Sequence, residues 1–289
     1  MSPTEPVVIG GVDGWKAWCA RARAKGPLGL VPTMGALHEG HLSLARRSAA
    51  ENVSTVVSIF VNPTQFNDPK DLDAYPRTAG ADVALLAEAG VDAVFLPEPA
   101  TMYPRGYHYK IVEDDLSRKY CGAFRPGHFD GVLTVVMKLL NLTLPTRAYF
   151  GEKDYQQYRL IADMARDFFM DVDVVPCRIV RETNGLAMSS RNARLSAAGR
   201  QKASAIHRAI AGRSTAEEAA AELSAQGFEV EYVEDWNDAA DGGSRRLVAA
   251  WLEGVRLIDN VAIGDTAGAG DTAGVGAGVG ADADGGAAK

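Results

Sequence analysis

Two histidines three residues apart, His38 and His41, stand in the string Val31-Pro32-Thr33-Met34-Gly35-Ala36-Leu37-His38-Glu39-Gly40-His41. Leu28 to Val31 reads as a short buried strand, Pro32 to Gly35 as a turn, and Gly40 onward as a helix whose apolar residues recur with a 3.6 period. That spacing puts both imidazoles on one face of the first helical turn. Unpaired backbone N–H groups and the positive dipole end of such a turn attract anions before any side chain is counted. Two imidazoles beside them suit phosphoryl oxygens whose charge grows in a transition state. The plain alternative is a pair of surface histidines on a helix cap; the strand, proline and Met-Gly turn ahead of them favour a nucleotide cradle.

Three further polar clusters follow strand-like runs. Asn62-Pro63-Thr64-Gln65-Phe66-Asn67 comes after Thr55 to Val61, and Gln65 can donate and accept at once, as a small hydroxy acid requires. Gly151-Glu152-Lys153-Asp154-Tyr155-Gln156-Gln157 comes after Arg147 to Phe150. Gly151 allows close approach of a ligand to the backbone, Lys153 supplies a mobile charge for phosphate, Asp154 caps a helix, and Gln157 lies on its first turn. The loop Met188-Ser189-Ser190-Arg191-Asn192, behind a flexible Asn184-Gly185, places two hydroxyls and a guanidinium in sequence, a clamp for outer phosphates. Arg125-Pro126-Gly127-His128-Phe129 reads equally as ligand contact or as the turn that starts a helix.

The elements that must position these groups alternate. Runs at Asp92 to Leu96 and Val172 to Val180 join those above as strands. Helical patterns lie between them at Gly14–Lys25, Leu42–Glu51, Thr78–Ala89, Gly131–Leu142 and Tyr155–Phe169. This predicts an α/β fold, a Rossmann-like parallel sheet with helices on both faces and ligand loops at the strands' carboxyl ends. Residues 1–183 are expected to form that domain. A smaller C-terminal α+β domain is expected over 184–263, from an Ala-rich helical stretch (Ala197 to about Gln226) and β-like runs at Phe228–Val233, Arg246–Leu252 and Val255–Ile258. The Gly/Ala/Asp tail, 264–289, lacks the apolar residues to offset the entropy cost of ordering, so disorder is expected there.

A net charge of −7 argues against nucleic acid as partner, and three well-separated cysteines suggest neither a disulfide framework nor a metal site. Neither a signal peptide nor a membrane span is expected, and the location read from this is cytoplasmic.

The strings PTMGALHEGH, VSIFVNPTQF, FGEKDYQQ, RPGHF, GLAMSSRN and RLIDN, in this order, resemble the pantothenate synthetase (pantoate–β-alanine ligase) family, within the HxGH nucleotidyltransferase superfamily. The resemblance implies condensation of pantoate with β-alanine through pantoyl adenylate, using ATP with Mg²⁺ carried on its phosphates. It implies an ATP site at Met34 through His41, Gly151, Glu152, Lys153 and Asp154, Val180, Met188, Ser189, Ser190 and Arg191. His41 is the implied proton donor, acting with His38, Lys153, Ser189, Ser190 and Arg191; Gln65 and Gln157 hold pantoate, and Gln65 also meets β-alanine. No metal ligands from the protein are implied, and a homodimer is. The interval between Leu195 and Gln226 looks short for the family's helical hairpin, and the tail has no counterpart in it. Outside this resemblance, the alternatives are a nucleotidyltransferase acting on another small acid or phosphate, or a non-catalytic nucleotide-binding module.

Overall fold

The computed structural model describes residues 5–212, 214–238 and 243–263. Six strands form the larger sheet: β1 (Val7–Ile9), β2 (Leu28–Thr33), β3 (Ser54–Ile59), β4 (Ala93–Phe95), β5 (Arg147–Gly151) and β6 (Asp173–Cys177). All pairings are parallel, in the order β1-β4-β3-β2-β5-β6. Every residue of β3 is buried, as expected where helices cover both faces. Successive residues of a strand serve opposite cores. Val56 packs with Trp15, Leu133 and Ile161 on one face, whereas Val57 packs with Leu42, Ala45 and Leu86 on the other. The chain builds outward from β2 through β3 and β4, then returns to place β5 on the other side of β2. The loops after β2 and β5 therefore flank a topological switch point, where a crevice opens at the carboxyl ends of the strands.

The smaller sheet is antiparallel, β7 (Glu229–Asp238), β8 (Gly243–Leu252) and β9 (Val255–Ile263), in that order. Val248, Ala250 and Leu252 of β8 pack with Ile206, Ile210 and Leu223 of the adjoining helices, while Leu247 and Ala249 join the core of the larger sheet. One strand thus welds the second unit to the first.

Several expectations need correction. β1 carries no sequence signal: it has three residues on a sheet edge, with Val7 and Val8 half exposed, too short for a period to register. The Ala-rich stretch is three helices, Ala197–Ala203, Ala205–Ala211 and Ala216–Ala225, the last opened by a Thr215–Glu218 capping box. β9 runs on through Asp259 and Asn260 because both are buried by partners from the first unit. The Asn184-Gly185 segment, read from the sequence as flexible, forms a tight turn, with the Glu182 N–H donating to the Leu186 carbonyl at 2.8 Å. The disorder expected over 264–289 lies outside the described residues. Among the described residues no helix is long and apolar enough to cross a membrane.

Candidate active site

His38 is the N-cap of helix Glu39–Glu51 and His41 its third residue, and the two rings replace the usual Ser/Glu pair of a capping box. His38 Nδ1 accepts from the Gly40 N–H at 3.2 Å, and His41 Nδ1 accepts from the His38 N–H at 3.4 Å. A ring nitrogen that accepts carries no proton in the neutral imidazole, so each ring keeps its hydrogen on Nε2 and presents it as a donor. The ring centroids lie 4.1 Å apart. Gly40 is required for this: a Cβ there would sit 2.9 Å from the His38 ring. Burial, then the Lys153 ammonium, lowers the His38 pKa to about 4; burial, with His38 and Lys153, lowers that of His41 to about 3. Both are neutral donors near pH 7.

Several of the turn's backbone N–H groups, read from the sequence as open to an anion, already have acceptors within the protein. Asp82, buried on helix Ala79–Glu88, takes the Ala36 N–H at 3.0 Å and the Leu37 N–H at 2.9 Å, while Thr78 Oγ1 donates to the same carboxylate. Asp82 is thus a staple that sets the angle of the histidine turn. Asp82→Ala leaves two amides unpartnered, and a stability loss of roughly 1–3 kcal/mol is expected. Urea unfolding checks it; a loss under about 0.5 kcal/mol would show that the turn holds without the staple.

A cavity of about 220 Å³ lies at the switch point, lined by Met34, His38, Gly40, His41, Gln65, Gly151, Lys153, Asp154, Gln157, Val180, Met188, Ser189, Ser190 and Arg191. Four loops distant in sequence therefore meet on one space. Val180 and Met188 arrive together because the Met188 N–H donates to the Val180 carbonyl at 3.0 Å. Gln65 is oriented: its Oε1 accepts from Asn62 Nδ2 at 3.0 Å, and its Nε2 lies 2.9 Å from the Met34 sulfur, a weak acceptor that a carboxylate would outcompete. Gln157 makes no side-chain hydrogen bond among the described residues. Among the described residues the Lys153 ammonium has a single ion-pair partner, Asp154, at 3.8 Å. Ser190 Oγ lies 3.4 Å from the Tyr75 hydroxyl, and Arg191 is bound to Asp71 at 2.9 Å, a carboxylate it shares with Arg194.

A second cavity of about 500 Å³ shares Lys153, Asp154, Gln157, Ser189 and Arg191 with the first and extends to Glu231, Arg256 and Asn260 of the smaller sheet. Together they offer the room of a nucleotide site with space for small reactants, which falls in the range of roughly 300–1,000 Å³.

Some nominated residues lie elsewhere. Gly35, Ala36 and Leu37 shape the turn without lining either cavity, and Glu39 faces outward to Arg46. Glu152 points away from the nucleotide crevice, into an ion pair with Arg245 at 2.9 Å.

The family model for pantoate–β-alanine ligase matches residues 8–262. The chain belongs to that family. The pantothenate synthetase of Bdellovibrio bacteriovorus is 55% identical over 249 residues, 86% of this chain and 96% of that protein. That of Pseudothermotoga lettingae is 46% identical over 278 residues, covering 89% and 99%. Among solved structures, the pantothenate synthetase of Thermus thermophilus superposes with a TM-score of 0.81 at 40% identity, over 88% of this chain and 98% of that one. The pantoate–β-alanine ligase of Francisella tularensis, solved with β-γ ATP and β-alanine, gives 0.83 at 36% identity over 89% and 97%.

In this member of the pantoate–β-alanine ligase family, the residues that sequence reasoning missed are those of the smaller sheet and its contacts that hold the site loops in place, Asn260 among them also bordering the larger cavity. Asn260 Nδ2 donates to the Glu152 carbonyl at 2.8 Å and to that of Lys153 at 3.1 Å, and Arg245 stacks 4.1 Å over the Tyr155 ring. Arg181 binds Asp259 through both nitrogens at 2.6 and 3.0 Å. The string RLIDN contained this signal. Its Asn260 reaches back more than a hundred positions to the loop bearing Lys153, and its Asp259 reaches back to Arg181.

Proposed function

We propose that the chain condenses pantoate with β-alanine using ATP, releasing AMP and pyrophosphate. The convergence of the histidine, Gln65, Lys153 and Ser-Ser-Arg loops on one crevice at the switch point carries this reading. A pantoate carboxylate oxygen attacks the α-phosphorus, and the bond from that phosphorus to the bridging oxygen breaks with pyrophosphate leaving. The β-alanine amine then attacks the acyl carbon of the adenylate, its C–O bond to AMP breaks, and the nitrogen gives up a proton.

His38 and His41 present Nε2–H donors to phosphoryl oxygens whose charge grows in the first displacement. An arriving triphosphate raises both pKa values, since a nearby negative charge favours the protonated ring. His41 then approaches the proton-donor role that the resemblance implies. Lys153, Ser189 and Ser190 meet the outer phosphates, and Arg191 reaches them by exchanging Asp71 for phosphate. The Gln65 and Gln157 amides orient the pantoate carboxylate without neutralising it, preserving the nucleophile; Gln65 also borders the amine. Mg²⁺ enters on the triphosphate in this reading. Asp154 is the one carboxylate lining the histidine cavity, and no group of three His, Cys, Asp or Glu suited to a metal occurs among the described residues. Phosphate oxygens would supply most of its ligands. Residues 184–263 form the lid over the larger cavity; the homodimer and the cytoplasmic location enter through the resemblance and sequence character alone.

Incubation with pantoate, β-alanine and MgATP is expected to yield AMP, pyrophosphate and pantothenate in equal amounts. ADP release would reject the adenylate route, and AMP release indifferent to the amine would favour a nucleotidyltransferase that stops at the first step.

A further inference from the structure

The segment Arg125–Phe129, which the sequence leaves open between ligand contact and helix start, borders the larger cavity through Arg125, His128 and Phe129 and does not line the histidine cavity, yet it grips a residue that does. His128, buried at the start of helix His128–Thr143, donates from Nδ1 to the main-chain carbonyl of Gln65 at 2.7 Å. Arg125 donates to the same carbonyl from Nη2 at 3.2 Å, and its Nη1 donates to His128 Nε2 at 3.1 Å. The pattern is self-consistent only for a neutral ring protonated on Nδ1, and burial with the adjacent guanidinium lowers the His128 pKa to about 3. The grip continues one turn along. Asn62 Nδ2, which orients Gln65 Oε1, also donates to the Gly131 carbonyl at 3.1 Å, and a Cβ on Gly131 would collide with the Thr64 carbonyl. The helix start is a mould for the Asn62–Gln65 turn, fixing both the backbone and the amide of Gln65.

We propose that Arg125 and His128 are positioning residues that act through Gln65, holding its side-chain amide where the acid and amine substrates meet it. This rests on the pantoate–β-alanine reading of the site. The physical argument is one of tolerance, since displacing a substrate-orienting group by about 1 Å can cost on the order of 100-fold in rate. Two hydrogen bonds on one carbonyl, one from a guanidinium and one from a buried imidazole, restrain the short Asn62–Gln65 turn.

The test is a double-mutant cycle in steady-state kinetics with saturating MgATP. His128→Leu is expected to lower kcat/KM for pantoate by about 10- to 100-fold while KM for ATP changes less than about twofold. His128→Asn, which keeps a donor near Nδ1, is expected to recover most of the loss. In a Gln65→Ala background the same His128→Leu change is expected to cost less than about twofold, because the group it positions is gone. An undiminished loss in that background, or an equal loss in ATP affinity, would show general structural damage and overturn the proposal. Should His128→Leu fail to fold, Arg125→Gln, which leaves the ring in place, is read through the same cycle. Parent enzyme that makes AMP without any need for pantoate would reject the functional reading instead, a distinct outcome visible before any variant is measured.

Discussion

Replacing His41 by alanine is expected to lower kcat by about 100- to 1,000-fold, the scale of losing one preorganised donor to transition-state charge. The ring is fixed by the His38 N–H on Nδ1, so its remaining donor is Nε2–H, directed into the cavity shared with Lys153 and Ser190. Deleting it also removes half of the capping box, at a cost of about 0.5–2 kcal/mol, which leaves a folded protein. Stability and turnover therefore separate: single-turnover AMP formation should collapse while the unfolding midpoint moves a few degrees. Turnover within about tenfold of the parent would remove His41 from the chemistry. His38→Ala takes away the partner ring and the cap acceptor together, so it is the less clean experiment.

The second large effect is acid lability. His38, His41 and His128 have pKa values lowered to about 4, 3 and 3 from an ordinary 6.5. Between those limits the unfolded chain binds protons that the folded chain does not, so stability falls as pH drops below about 6.5 and does not depend on these groups above it. His128, buried at the helix start, alone accounts for about 2 kcal/mol between neutrality and pH 5, taking about 1.36 kcal/mol per pKa unit. Urea unfolding at about pH 7.5 and pH 5 is the measurement. Carboxylates such as Asp71, where burial pulls upward but Arg191 and Arg194 prevail, titrate lower and act only below that interval. Equal stability at the two pH values would contradict the assignment of neutral, buried rings. His128→Asn should narrow the gap by about the same 2 kcal/mol.

The parallel sheet was legible because strands covered on both faces, such as the one bearing Val56 and Val57, are rich in apolar β-branched residues and set between amphipathic helices. The histidine, Gln65 and Lys153 loops were legible because each follows a strand directly, whereas the Ser189–Arg191 loop stands more than ten residues beyond the edge strand β6. What escaped notice depends on partners far along the chain. Asp82 looks like an ordinary helix residue until it is seen taking the amides of Ala36 and Leu37. Those amides looked free because the local sequence held no acceptor for them. Glu152 sits beside Lys153 in the same string, yet one faces Arg245 and the other the cavity, a distinction set by the smaller sheet and not by neighbours in sequence. The role of Arg125 and His128 was undecidable for the same reason, since their shared acceptor is a carbonyl, and carbonyls have no letter in a sequence.

The grip of Asn260 on the Glu152 and Lys153 carbonyls means that the Lys153 ammonium is moored to a strand close to the end of the described residues. Loss of β9 past Asp259 would release the loop bearing Lys153, even with the chain between Met34 and Arg191 untouched. A tag or fusion that frays β9 would be felt at the Lys153 loop before it was felt in the bulk of the molecule.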